Sequence, residues 1–158
     1  NMDEFTGTSS FHRILWDDAQ LGNSDTKLVD DTKIKRVVLC SGKVYYDLLA
    51  ERDARGITDI YLMRMEQLYP HPEESLTEEL KRFKNADFIW CQEEPQNQGY
   101  WAFINPHIEN VLIDLKVKNS RPVYVGRKAA AAPATGLASN HKLQQDALVN
   151  DALTLGGK

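Results

Sequence analysis

The feature that most constrains the fold is a regular alternation of short apolar runs with longer amphipathic segments. Four runs, IKRVVLCS, TDIYLMRM, DFIWCQEE and RPVYVGR, begin at residues 34, 58, 87 and 121. Each has the β-branched or aromatic content of a buried strand. Strands that alternate with helices over short connections predict an α/β fold with a largely parallel sheet, covered on both faces and linked by right-handed crossovers.

The segments around these runs have helical spacing of apolar residues. They are VYYDLLAERDARG, ESLTEELKRFKNA, GYWAFINPHIENVLIDLKV and NHKLQQDALVNDAL, and a rigid YPHP break precedes the second. We expect Gly56 to be the C-cap of the first helix and Asn140 the N-cap of the last. Pro106 lies inside the third and predicts either a bend or a later start of that helix.

Residues 1–32 do not continue the alternation. They are expected to be an entry segment that leads in from domains upstream, with FHRILWDD supplying apolar anchors at Phe11, Ile14, Leu15 and Trp16. The polar stretch NSDTKLVDDTK has no clear period, so we expect a loop laid over the surface there. The domain proper is then predicted to span residues 33–158. A chain of 158 residues is long enough for one domain with a real core.

Composition argues against several classes of function. The formal net charge of -4 gives no reason to expect nucleic acid or an anionic membrane as a partner. No apolar run approaches the roughly 20 residues of a membrane helix.

Cys40 and Cys91 end apolar runs outside any CxxC spacing, which favours buried thiols over a disulfide. The histidines lack a second ligand at metal spacing, so no metal site is predicted. We expect a bacterial cytoplasmic location, and a mitochondrial matrix fits equally well.

Ser41, Gly42 and Lys43 form the first candidate site. They join the end of a predicted strand to the start of a helix, where free backbone N–H groups bind anions. Gly42 would permit close approach and Lys43 would add charge. The stretch matches neither GxxxxGK[ST] nor GxGxxG, and a tight turn needs the same residue types, so ordinary turn chemistry is the alternative.

Glu93 and Glu94 raise the question of a catalytic carboxylate pair. Two such groups must reach one substrate atom, whereas neighbouring strand residues point to opposite faces. We therefore predict that one faces a ligand or partner while the other holds the loop or pairs with a base. Asn97 is expected to cap or shape the entrance of the next helix, or to orient a ligand from the end of the sheet.

Three arginines complete the candidate residues. Arg64 and Arg127 lie at or near strand ends, which form the ligand side of a doubly wound sheet, and Arg13 lies in the entry segment. Guanidinium groups there suit a phosphate or carboxylate from a ligand or a neighbouring protein. The alternative is ion pairing with the nearby acids: Glu66, Glu93 and Glu94.

Four strings, taken together, resemble the C-terminal region of the first component of the 2-oxoglutarate dehydrogenase complex. They are VVLCSGKVYYDLLAER, MRMEQLYPHP, WCQEEPQNQGYWAF and VYVGRKAAAAPATG. The resemblance begins near FTGTSSFHRILWDD and runs in order almost to the end of the chain. It implies a transketolase C-terminal-like domain, a three-layer α/β/α sandwich with a mostly parallel sheet and one antiparallel edge strand.

The resemblance also implies the function of a longer protein. Members of the family are homodimers that decarboxylate 2-oxoglutarate with thiamine diphosphate and magnesium, held by two earlier domains. They pass the succinyl group to lipoamide on a dihydrolipoyl succinyltransferase core. The magnesium-binding GDG…N pattern is absent here. We therefore expect a fragment with structural, regulatory and docking roles, without catalytic or cofactor-binding residues, that does not decarboxylate on its own.

In acetyl-CoA-regulated relatives, the glutamine that corresponds to Gln67 contributes to an effector site, with a pair of arginines whose positions here are Glu74 and Ser75. The entry segment would contribute near Ser10 and Arg13. Replacing two cations weakens phosphate binding, so the resemblance implies a weaker or different nucleotide site. Two alternatives stay open. They are a free-standing anion- or nucleotide-binding α/β module and the same domain of another transketolase-like 2-oxo acid dehydrogenase.

Overall fold

A computed structural model describes residue 7 and residues 10–156 of the chain, and these residues form one sheet with helices on both faces. The strands are β1 (Ile14–Leu15), β2 (Arg36–Cys40), β3 (Ile60–Met65), β4 (Asp87–Gln92) and β5 (Val123–Gly126). The helices are α1 (Asp18–Leu21), α2 (Val44–Arg55), α3 (Glu73–Leu80), α4 (Trp101–Asp114) and α5 (Ala138–Leu153), and a 3-10 turn covers Asp31–Lys33.

The strands lie in the order β1-β3-β2-β4-β5. β2 to β5 run parallel, and β1 pairs antiparallel with β3, with Ile14 opposite Met65. The mostly parallel sheet and the antiparallel edge strand are therefore confirmed.

Apolar side chains form two cores, one on each face of the sheet. On one face, Phe88 and its neighbours pack against α3 and α4, which contribute Leu76 and Ile104. On the other face, Ile89 packs with α2 and α5, to which Leu148 belongs. Because both faces are covered, the central strands contain continuous apolar runs, such as residues 37–40, 60–63 and 88–91, rather than an alternation of apolar and polar residues. The three-layer α/β/α architecture is confirmed.

The entry segment contributes a short strand to the sheet and one buried acidic side chain to the core. Ile14 and Leu15 form β1, and the Asp17 side chain is fully buried. Ile14 and Leu15 are among the apolar anchors that the sequence predicts, but a strand of two residues leaves no detectable period, so β1 itself is not predicted. Residues 23–33 form a loop with one 3-10 turn at its end, as expected. The domain boundary between residues 32 and 33 stays a prediction.

Several predicted helix and strand ends are corrected by the structure. Gly56 is the C-cap of α2, as expected, with a φ of 62°. Asn140 is not the N-cap of α5, because Leu137 occupies that position and its carbonyl already accepts from the His141 amide at 3.0 Å. α4 begins before Pro106 and continues through it, which excludes a later start. The strand predicted to reach Glu94 ends at Gln92.

Cys40 and Cys91 are free, buried thiols that lie opposite each other on β2 and β4. This confirms the prediction of two buried thiols. Burial raises the pKa of the Cys91 thiol to about 12. Within the described part of the chain, no helix has both the length and the apolar character needed to cross a membrane.

Candidate functional site

The carboxyl ends of β2 and β4 lie side by side at the switch point of the sheet. β2 leads into α2 on one face, and β4 leads into α4 on the other. Open α/β sheets bind ligands in the crevice outside such a point. A cleft of about 460 Å³ lies there, lined by the turn 41–43, by residues 92–94 and by Tyr100. We call this the switch-point cleft.

Lys43 bridges the two loops of the switch-point cleft. Its Nζ lies 2.7 Å from Glu93 Oε1 and 3.5 Å from Asp47 Oδ2. The hydrogen bond to Glu93 raises the pKa of Lys43. Two carboxylates therefore already balance this charge, which does not favour an anion site at residues 41–43. Gly42 has a φ of +73° and open space around it, so its geometry fits the ordinary turn that is the alternative.

Gln92 holds the loop that follows β4. It is not among the site residues predicted from the sequence. Its Nε2 donates to three backbone carbonyls at 2.8 to 3.3 Å: those of Glu94, Pro95 and Gln98. Its Oε1 accepts from three donors at 2.9 to 3.2 Å: Trp90 Nε1 and the amides of Tyr100 and Trp101. Gln92 thereby satisfies amides at the start of α4, which lack partners within the helix. Gln92 belongs to the family string WCQEEPQNQGYWAF, but the string gives no signal of this bonding role.

Glu93 and Glu94 have different surroundings and do not form a matched pair. Glu93 is half-buried and bonded to Lys43, whereas the Glu94 side chain is exposed and has no hydrogen-bond partner among the described residues. The Glu94 backbone carbonyl accepts from the Tyr124 hydroxyl at 3.0 Å. Glu93 pairs with a base, while a ligand-facing role for Glu94 stays a prediction. Both residues lie just beyond the end of β4, so strand alternation does not set their different surroundings.

Arg64, at the end of β3, is paired within the domain. Its Nε lies 2.6 Å from Glu66 Oε1, and its NH1 group donates to the Tyr46 hydroxyl at 2.9 Å. The guanidinium also lies over the Tyr45 ring, 4.9 Å from the centroid. Of the two interpretations of Arg64, ion pairing with a nearby acid is the one that the structure shows.

The structure brings Arg13 and Gln67 together beside the end of β3. The Arg13 carbonyl accepts from the amides of Glu66 and Gln67 at 2.9 and 3.1 Å. The Gln67 side chain donates to the Pro70 carbonyl at 2.7 Å and so holds the turn that contains the cis Tyr69–Pro70 bond. The entry segment at Arg13 therefore lies next to Gln67, and a role of these residues in an effector site stays a prediction.

Asn97 holds the alanine-rich loop rather than the start of α4. Its Nδ2 donates to the Ala130 carbonyl and its Oδ1 accepts from the Ala130 amide, both at 3.0 Å. The prediction that it caps the helix is wrong, because α4 begins four residues later and Gln92 bonds the first amides. Arg127, at the end of β5, donates to His141 Nδ1 at 2.7 Å.

The described residues do not suit the metal and cofactor of the family. Magnesium requires several oxygen ligands around one point. No cluster of three or more His, Cys, Asp or Glu side chains forms in residues 7 and 10–156.

Comparison with known proteins identifies relatives over almost the whole chain. The family model described as 2-oxoglutarate dehydrogenase C-terminal matches residues 1–153. The 2-oxoglutarate dehydrogenase E1 component of Brucella anthropi is 57% identical over 153 residues, which is 96% of this chain and 15% of that protein. The corresponding protein of Brucella ovis is 58% identical over 151 residues, again 15% of its length. The chain thus spans about 15% of the length of these curated relatives.

A solved structure supports the fold independently. A protein described as a split gene transketolase, inactive beta4 tetramer, aligns with a TM-score of 0.52 and 17% identity. The alignment covers 97% of this chain and 46% of the other. At this identity the likeness concerns the fold alone.

Proposed function

The chain belongs to the 2-oxoglutarate dehydrogenase C-terminal family, and on that premise we propose that it is the C-terminal domain of a thiamine diphosphate-dependent 2-oxoglutarate dehydrogenase first component. The longer protein would decarboxylate 2-oxoglutarate and transfer the succinyl group to lipoamide. The observation that carries this proposal is the 57% identity over 96% of the chain to an E1 component of that name. It favours 2-oxoglutarate over the substrates of other transketolase-like dehydrogenases.

This domain has structural, regulatory and docking roles in the longer protein and no catalytic role. Lys43 and Glu93, two charged groups of its switch-point cleft, are paired with each other, and no metal cluster forms in the described ranges. Thiamine diphosphate and magnesium would be held by thiamine-binding domains elsewhere in the same protein. A homodimer, a dihydrolipoyl succinyltransferase core and a cytoplasmic location belong to the same proposal.

The carboxyl edge of the sheet is the surface that would face those domains or a nucleotide effector. Polar groups from all four parallel strands meet there, together with the entry segment. The residues proposed for this interdomain or effector surface are Arg13, Ser41, Gly42, Lys43, Arg64, Gln67, Glu93, Glu94, Asn97 and Arg127. In the longer protein, Glu93→Gln should change assembly or regulation more than it changes decarboxylation. Complete loss of turnover in an intact dimer would count against this assignment.

The non-catalytic role is tested directly on the chain itself. The chain is incubated with thiamine diphosphate, magnesium and 2-oxoglutarate, and release of carbon dioxide is followed. We expect no release above the rate without protein. Clear turnover would overturn the proposal that catalysis belongs to other domains, because the groups that activate the cofactor would then have to lie in this chain.

A further inference from the structure

Arg127 is a half-buried cation whose charge no acidic group in the described residues balances. Among the described residues its guanidinium contacts only His141 Nδ1, at 2.7 Å, and its Nε atom, like that of Arg36, is buried without a partner. Arginine has no acceptor, so the His141 ring must accept in this contact. The other buried or half-buried arginines meet carboxylates or carbonyls: Arg52 with Asp17, Arg64 with Glu66, Arg82 with Asp31, and Arg36 with three carbonyls near the end of α5.

The surroundings of Arg127 add positive potential and do not compensate the charge of its guanidinium. His141 lies in the first turn of α5, a helix of 16 residues, and helical side chains lean back toward the helix start. That first turn contains no acidic residue, and Leu137 provides no side-chain cap. A cation beside the positive end of a helix is unfavourable. Arg36 shows the opposite, favourable arrangement, since it bonds the carbonyls at the carboxyl end of α5.

A groove opens beside this guanidinium. It has a volume of about 830 Å³ and lies between the alanine-rich loop and α5, with Arg127, Lys128, Thr135 and Asn140 in its lining. Asp151 also lines the groove, but it lies thirteen residues along α5 from Ala138, a distance of about 20 Å at 1.5 Å per residue. Asp151 is therefore too far away to balance the charge at the first turn.

We propose that Arg127, Lys128 and the first-turn amides of α5 bind the phosphate group of a small anionic metabolite. A guanidinium fork and free helix amides are the groups that recognise phosphate oxygens. The site lies between β5 and α5, apart from the switch-point cleft. Because Arg127 belongs to the interdomain or effector surface, this inference rests on the proposed function and specifies the chemistry of a ligand at that surface. Its occupant supplies the counter-charge that Arg127 lacks within the described residues.

The test is a titration of the chain with inorganic phosphate and with pyrophosphate, followed by calorimetry and by the amide NMR signals of Ser139 and Asn140. Both anions should bind and shift these signals. Arg127→Gln should weaken binding at least tenfold. Arg121→Gln is the matched control, because it removes the same charge from the exposed residue at the opposite end of β5, and it should bind like the parent.

A second variant keeps the test decisive if Arg127→Gln fails to fold. Ala138→Glu places a carboxylate one turn before His141 on the same helix face, where it can pair with the guanidinium. It should raise the melting temperature in phosphate-free buffer and weaken phosphate binding at least tenfold. The proposal is overturned if the parent binds neither anion, or if its NMR signals respond only to ionic strength, as with sodium chloride. It is also overturned if both Arg127→Gln and Ala138→Glu bind the anions as the parent does.

Discussion

Arg52 and Asp17 form an ion pair in which neither side chain is exposed to solvent. Arg52 lies in α2 and Asp17 in the entry segment, and Asp17 also accepts the Leu62 amide of β3 at 2.7 Å. The Tyr61 hydroxyl accepts the Asp17 amide at 3.2 Å and donates to Gln20 at 2.6 Å. These contacts fasten the entry segment to the sheet.

Replacing Asp17 should destabilise the fold strongly. Asp17→Ala leaves Arg52 buried without its counter-charge, and we expect the free energy of unfolding to fall by about 3–5 kcal/mol. Urea denaturation followed by circular dichroism measures this. Asp30→Ala is the control, since Asp30 pairs with Lys33 at the exposed surface and should cost less than about 1 kcal/mol. Similar losses in the two variants would contradict a structural role for the buried pair.

The role of Gln92 predicts a second large effect. Gln92→Leu removes the acceptor of the Trp90 indole and of two amides at the start of α4. Each buried donor left unpaired costs about 1–3 kcal/mol, so a loss of roughly 3 kcal/mol or more is expected. Gln96→Leu, an exposed neighbour in the same loop, should stay within about 0.5 kcal/mol of the parent. A Gln92→Leu protein as stable as Gln96→Leu would be incompatible with the observed bonding.

A comparison of alanine substitutions at Gly99 and Gly42 separates the cost of backbone strain from the cost of close packing. Both have positive φ, +65° and +73°. An alanine Cβ at position 99 would lie 2.9 Å from Gln92 Nε2 and 3.0 Å from Glu94 Cβ, whereas position 42 has open space. Gly42→Ala should cost about 1–2 kcal/mol, the penalty of the left-handed backbone. Gly99→Ala should lower the free energy of unfolding by measurably more in the same denaturation assay. Equal losses in the two variants would show that the loop rearranges to accept the Cβ at position 99.

His71 predicts a pH dependence of stability. Its ring stacks on His107 at a centroid distance of 4.6 Å, and both of its nitrogens are buried without partners. Burial, and then the charge of His107, lower the pKa of His71 to about 4. Because the value in the unfolded chain is about 6.5, the stability that neutral His71 contributes is complete above pH ~6.5 and is lost as the pH falls toward 4.

Denaturation at several pH values tests this dependence. His71→Phe should show a smaller decrease in stability than the parent between pH ~6.5 and ~4. His12→Phe, in the exposed entry segment, should follow the parent. The burial of His71 would be contradicted if both variants and the parent lost stability in parallel.

Much of the fold follows from local patterns. The apolar runs predict β2 to β5, since a strand buried on both faces needs apolar residues throughout. The family strings add the antiparallel edge strand, which two residues of β1 could not indicate through any period. Gly56 ends α2 as predicted, because a left-handed C-cap leaves a signal in a single residue.

The interactions that build the candidate site are less visible in the sequence, since they join residues far apart. Asp17 and Arg52 are 35 positions apart, and Asn97 holds Ala130 across 33 positions. Gln92 bonds backbone groups, which any sequence supplies. The cap expected of Asn97 is wrong for this reason: capping reasoning considers the nearest helix, whereas the side chain bonds Ala130 in the loop that follows β5.

The most direct test places this chain in a working enzyme. In the Brucella anthropi E1 component, the matching region of 153 residues is replaced by this chain, and carbon dioxide release from 2-oxoglutarate is compared with that of the parent and of a protein truncated before this region. The chimera should turn over within about tenfold of the parent, a difference of 1.36 kcal/mol, while the truncated protein should be inactive. A folded, dimeric chimera without turnover, or a truncated protein with full turnover, would contradict the assignment of this chain as the C-terminal domain of such an enzyme.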